Sequence, residues 1–168
     1  MNFIFYVIVL ILEILFYSLF MFFCKKTGKF YKYILSFVLI TIAGFFVSTQ
    51  TLISYLILVF MITFALKHIV KVKTTLYDML IIVIMLLIKI FIEIIVILGL
   101  FKIIENAYIL SFIAGIIKIL FVLLLNNKLN RSYNNLKEIW NNNNFYIRYL
   151  FSVALFLYTI ISCLFLIF

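Results

Sequence analysis

Residues 33–66 read YILSFVLITIAGFFVSTQTLISYLILVFMITFAL, an apolar run of 34 residues whose only sustained polar interruption is Ser48, Thr49, Gln50 and Thr51. As one helix this run would extend about 51 Å at 1.5 Å per residue, too long for one crossing of a hydrocarbon core of about 30 Å. The flanking charges decide how it divides. Lys25, Lys26, Lys29 and Lys32 precede it, and Lys67, Lys71 and Lys73 follow it. Lysine-rich loops belong on the cytoplasmic side, so both ends share one side and the chain crosses an even number of times. Two short helices joined at 48–51 satisfy that requirement, with Lys32 and Lys67 snorkelling to lengthen them.

The same reasoning carried outward gives six spans, at about 3–23, 31–48, 52–66, 76–101, 107–125 and 145–168. The loops at 25–32, 67–73 and 128–148 hold 11 of the 14 Lys and Arg residues, while the N-terminus, the 48–51 turn and the C-terminus hold none. In the 101–106 loop Lys102 is balanced by Glu105. The alternation predicts an all-α polytopic membrane helix bundle, N-out and C-out, in one integral membrane domain over 1–168. The first span is not read as a cleaved signal peptide. It lacks a basic leader and a small-x-small cleavage site, and Glu13 sits within it.

Composition agrees with this class and excludes others. The 168 residues are 69% hydrophobic and 11% charged, against about 45–50% and about 25% in soluble domains. A soluble, disordered or disulfide-stapled fold is excluded on those grounds. The net charge of +9 would point to nucleic acid if it were clustered without pattern. Its confinement to alternate loops makes it an orienting collar, so no nucleic-acid partner is expected. Ile, Phe, Tyr, Lys and Asn dominate, the residues of AT-rich codons, which points to a bacterial membrane protein and weakens any argument from their abundance alone.

Four ionisable residues fall inside spans: Glu13, Lys89, Glu93 and Lys118. Each costs about 2.5–3.5 kcal/mol at the bilayer centre, so they are expected to face one another. Counting from the outer end of each helix puts Glu13 roughly 15 Å deep, Lys118 roughly 16 Å, Lys89 roughly 18 Å and Glu93 roughly 12 Å. Lys89 and Glu93 are also i, i+4 neighbours, close enough to pair. A polar centre between spans one, four and five follows, read either as a neutral packing device or as a ligand, ion or proton site. Stripes point the same way. Tyr6 and Tyr17 share a face with Glu13, and Asp78 with Lys89 and Glu93. Ser152, Thr159 and Cys163 align in the sixth span. Ala107, Ser111 and Gly115 form a small-xxx-small face for helix packing, which Lys118 continues.

Residues 126–144 are the one long polar stretch. Leu129, Tyr133, Leu136 and Trp140 recur at i, i+4, i+7 and i+11, one face of a helix, with Asn130, Arg131, Asn134, Lys137 and Glu138 opposite. This predicts a short interfacial helix between spans five and six.

Catalysis is not expected. His68 stands among lysines at a span boundary, with no second ligand at metal spacing, so no metal or cofactor is foreseen. Cys24 and Cys163 lie towards opposite leaflets and cannot bridge. No phosphate-binding glycine loop occurs. With no proline and four glycines, the helices also lack the interruptions typical of transporter sites.

Two segments carry a resemblance. Residues 67–100, KHIVKVKTTLYDMLIIVIMLLIKIFIEIIVILGL, and 114–131, AGIIKILFVLLLNNKLNR, resemble the transmembrane sensor domain of Gram-positive peptide-pheromone receptor histidine kinases. In the first, a short basic turn enters a long span with a glutamate two-thirds along. In the second, an apolar span runs into a basic, Asn-rich loop. That family continues through a further span into a kinase, whereas this sequence ends at Phe168 without one. The resemblance therefore implies a sensor-like bundle that binds a peptide or a partner and does not phosphorylate. The membrane peptidases of the same systems fit less well, since their His/Cys pair is absent.

The sequence thus leads to a non-enzymatic, multi-pass protein of the cytoplasmic membrane, a receptor-like or partner-binding bundle. Its partners would be the lipid bilayer and a membrane protein or peptide. A small transporter or channel subunit, and an accessory or immunity-type protein within a complex, are the alternatives.

Overall fold

The computed structural model describes residues 2–44, 52–71, 76–100, 103, 104, 106–142, 149 and 153. The described residues are mostly helical and contain no strand. The elements are α1 (Asn2–Lys25), α2 (Phe30–Gly44), α3 (Leu52–Ala65) with a π-helical turn at Leu66–Val70, α4 (Leu76–Leu100), α5 (Ala107–Leu124) and α6 (Asn126–Asn142). Among the described residues three segments, Phe3–Lys25, Tyr77–Leu100 and Ala107–Leu124, are long and apolar enough to cross a membrane, the mark of a membrane protein. Apart from residues 149 and 153, the predicted sixth span at 145–168 lies outside the described residues, as do the 48–51 turn, Lys102 and Glu105.

Local chemistry explains where the helices stop. At the end of α1, Lys26 takes a left-handed backbone (φ 47) and its N–H still donates to Phe22 O at 2.7 Å. This is the usual αL termination, placed on a lysine. Gly28 then adopts φ +77, a conformation that strains any residue with a Cβ, and one built there would lie 3.3 Å from Val70 Cγ1. The Tyr33 hydroxyl donates to Thr27 O at 2.8 Å and pins the turn. At the other end of the bundle, Asn106 caps α5, its side chain accepting from Tyr108 N at 3.0 Å.

Polar side chains inside the apolar helices satisfy themselves locally. The Ser18, Ser36, Thr41 and Thr63 hydroxyls donate to the carbonyls of Ile14, Lys32, Phe37 and Val59, each four residues back. In hydrocarbon, where water cannot serve a hydroxyl, this is the cheapest partner.

Consecutive helices pack side by side, and α5 returns against α1, so the five form a closed circuit of contacts with α1–α5 the most extensive. Phe16, Phe20, Met21, Tyr33, Phe37, Leu66, Ile82 and Met85 fill its interior. A smaller apolar cluster of Ile92, Val96, Leu110 and Ala114 joins α4 to α5 towards the opposite end. The start of α2 lies beside Val70, so α2 and α3 run antiparallel and the 33–66 run folds back on itself. α6 turns at Leu125 and docks on α1 and α4.

The helix of the predicted third span, about 52–66, continues past Leu66. It widens into the π turn and ends at Lys71, whose left-handed backbone (φ 60) returns its N–H to Leu66 O. On α5, Ala107 and Ser111 of the small-residue stripe are exposed and Gly115 is buried. The buried face runs through Leu110, Ala114, Gly115, Lys118 and Val122. Gly115 meets α1 closely: a Cβ would stand 2.8 Å from Leu12 Cδ1 and 3.1 Å from Leu12 Cβ. Leu110, Ala114, Lys118 and Val122 keep the same four-residue repeat three positions further on, a different phase around the helix, so Leu110 and Ala114 carry the packing and Gly115 joins that face beside Ala114.

Candidate functional site: a ring of charges

Glu13, Lys89, Glu93 and Lys118 meet in the middle of the bundle, where α1, α4 and α5 come together. Lys118 donates to Glu13 Oε1 and, at 2.8 Å, to Glu93 Oε1. Lys89 Nζ stands 3.4 Å from Glu13 Oε2 and 3.8 Å from Glu93 Oε1. Each charge therefore touches both charges of opposite sign, and the four alternate around a closed ring. Lys118 is the innermost member: its side chain is 1% exposed, against 28% for Lys89.

Each helix contributes for a local reason. Gly115 lets α5 approach Leu12, and Lys118, one turn on, then lies beside Glu13. The i, i+4 spacing on α4 presents Lys89 and Glu93 together. Aromatic faces line the ring: Lys118 Nζ is 6.0 Å from the Phe16 ring centroid and Lys89 Nζ is 5.9 Å from that of Tyr17. Tyr17, expected beside the Glu13 carboxylate, thus presents its ring to Lys89, and Tyr6 is half-exposed.

A second buried ion pair lies at the basic end of the bundle. Asp78, in the first turn of α4, holds Lys25 of α1 at 2.8 Å, with both side chains at most 2% exposed. The Tyr133 hydroxyl of α6 donates to Asp78 Oδ1 at 3.0 Å, and the Tyr77 hydroxyl donates to Tyr133 O at 2.6 Å. Burial, with the adjacent Asp78 carboxylate, pushes the Tyr133 phenol well above its ordinary value, so it remains a donor.

Sequence reasoning missed this group, taking Lys25 for a solvated collar residue and Asp78 for a companion of Lys89. The available signal was Asp78 itself, an acid at the start of a helix beside basic loops, where a helix N-terminus also favours a carboxylate.

The apolar face read for the interfacial helix packs inward through Leu129, Tyr133 and Leu136; the Trp140 side chain lies outside the described residues. Arg131, Asn134, Lys137 and Glu138 are exposed. Asn130, assigned to that polar face, instead donates to Cys24 O at 2.9 Å, which ties α6 to the end of α1. His68 is exposed, with its ring 4.2 Å from that of Phe64. Cys24 is buried. Ser152, Thr159 and Cys163 lie outside the described residues. Among the described residues no group of His, Cys, Asp or Glu is arranged to hold a metal.

No protein-family model, curated protein or solved structure matches this chain. The arrangement itself is that of a charge-neutral polar centre in an apolar helical bundle, in which Glu13 Oε2 faces Lys89 at 3.4 Å without a hydrogen bond.

Proposed function

We propose that this chain is a non-enzymatic multi-pass protein of a bacterial cytoplasmic membrane that acts by binding, as a receptor-like or partner-binding bundle. The closed ring of Glu13, Lys118, Glu93 and Lys89 carries this reading. Two acids balance two bases, so no net charge remains to hold a permeating ion, and the ring ties α1, α4 and α5 to one another. A bundle so tied works through the surfaces it presents, and large apolar side chains such as Phe91, Leu98 and Leu124 stand exposed on α4 and α5. The resemblance to sensor domains of pheromone-receptor kinases points to a peptide or a membrane protein as the partner. In this reading six spans run N-out and C-out, with residues 25–32, 67–73 and 128–148 in the cytoplasm.

A small transporter or channel subunit is the second reading, favoured by one observation. The Lys89 and Glu93 side chains are about a quarter exposed (28% and 27%), so one side of the ring is reachable.

Reconstitution separates the two. In proteoliposomes the protein is expected to pass no H+, Na+ or K+ above protein-free vesicles. Photo-crosslinkers at positions 91 and 98 are expected to trap one discrete peptide or membrane protein in cells. Ion flux abolished by Lys118→Met, or no adduct from either position, would overturn the binding reading.

A further inference from the structure

On the flank of the bundle a groove of about 490 Å³ runs between α2 and α3 into the π turn. Its walls are apolar, with Leu39 and Ile40 on one side and Phe60, Met61 and Phe64 on the other. Among the described residues His68 is the one ionisable side chain lining it. Phe60 and Phe64 are 61% and 65% exposed, so the groove opens sideways.

The end of the groove at His68 is basic. Lys67 and His68 are exposed on the π turn, and Lys71 is exposed at its left-handed end. Gly28 lies against Val70, which brings the exposed Lys29 to the same end. The lysines are uncompensated: among the described residues no ion pair reaches Lys29, Lys67 or Lys71. Glu13 and Glu93 are committed to the ring and Asp78 to Lys25. π-helical turns also recur at functional sites, since the wider turn re-aims the side chains that follow it.

We propose that this groove binds an anionic phospholipid, its acyl chain along Leu39, Phe60 and Phe64 and its phosphate at Lys67, His68 and Lys71. An apolar channel parallel to the helices that ends in unpaired cations complements one kind of molecule, an amphiphile with a negative head. Basic pockets between membrane helices select anionic headgroups in this way. The inference rests on the membrane reading above.

The test is native mass spectrometry of the full chain released from nanodiscs of phosphatidylglycerol and phosphatidylcholine in equal amounts with matched acyl chains. Phosphatidylglycerol is expected to stay bound in preference. Lys67→Gln and Lys71→Gln should each reduce that preference, by about fivefold per lysine. Phe64→Ser should lower retention of both lipids. Lys128→Gln removes an exposed charge on α6, away from the groove, and should change neither.

Equal retention of the two lipids would overturn the site, as would a Lys128→Gln effect as large as that of Lys67→Gln, which would mark a general attraction to the basic end. Release of the lipid by glycerol phosphate alone would reassign the rim to a soluble anion. Disulfide-linked dimers of a Phe64→Cys variant, formed in the membrane without lipid selectivity, would assign the groove to a second copy. Membrane fractionation is read separately: a chain missing from the membrane fraction would count against the membrane reading itself.

Discussion

The ring of Glu13, Lys89, Glu93 and Lys118 and the pair Lys25–Asp78 both tie α1 to α4 through opposite charges. They lie 12 residues apart on α1 and 11 on α4, about 17 Å along antiparallel helices. They differ in what awaits an unpaired member. A charge freed in the ring faces side chains and hydrocarbon. Lys25, on the last residue of α1, has the bundle end within reach of its four-carbon stem. The same chemistry is therefore close to compulsory in the middle of the bundle and optional at its end.

The variant expected to do most damage is Lys118→Met. It leaves Glu13 and Glu93 with Lys89 as their one cation, and losing one partner of a buried ionic group costs about 3–5 kcal/mol. Thermal unfolding in detergent, followed by the loss of the monomer peak in size-exclusion chromatography, should show a large fall. Lys118→Met combined with Glu93→Gln leaves a neutral Glu13–Lys89 pair and should recover part of it. If the single variant were no worse than one at Asp78, the distinction between ring and end pair would be lost.

This difference also explains what the sequence made legible. Glu13, Lys89, Glu93 and Lys118 could be assembled from depth alone, because hydrocarbon leaves an ionisable side chain no other partner. The division of the 33–66 run could be read because loop charge constrains topology. Lys25 and Asp78 could not be paired that way, since residues beside water are not forced into contact, and a lysine in a run of lysines carries no mark of burial. The stripe at Ala107, Ser111 and Gly115, of which Gly115 is buried, shows a different limit. Small size permits close approach but does not cause it, and the helix face was set by Leu110, Ala114 and Lys118. The π turn at Leu66–Val70 left no residue signature at all, since no proline or glycine occurs in it.

Asp78→Asn tests the weaker half of the comparison. The amide keeps its size but gives up the charge that holds Lys25 and accepts from Tyr133. Hydrogen bonds to charged groups contribute about 1.5–3 kcal/mol each. Lys25 can recover part of the loss by extending to water, so the drop in unfolding temperature should fall clearly below that of Lys118→Met. Adding Lys25→Met to Asp78→Asn should cost little more, because the lysine is by then solvated. A large further loss would show that Lys25 stays buried without its partner, and the end pair would then behave like the ring.

The smallest effect sharpens the comparison through pH. Tyr133→Phe removes the hydroxyl that donates to Asp78 Oδ1 and keeps the backbone carbonyl that accepts from Tyr77. One hydrogen bond is lost, about 1 kcal/mol at neutral pH. The Tyr133 phenol is raised in the folded state, first by burial and then by the Asp78 carboxylate. In the unfolded chain it ionises near its ordinary value of about 10. Above that pH the unfolded state releases a proton that the folded state keeps, so stability falls as pH rises. The advantage of the wild type over Tyr133→Phe should hold steady from pH 6 to 9 and shrink above pH 10, with the other tyrosines cancelling between the two proteins. An advantage unchanged up to pH 11 would mean that Tyr133 ionises equally in both states, and Asp78 would then have no hold on α6.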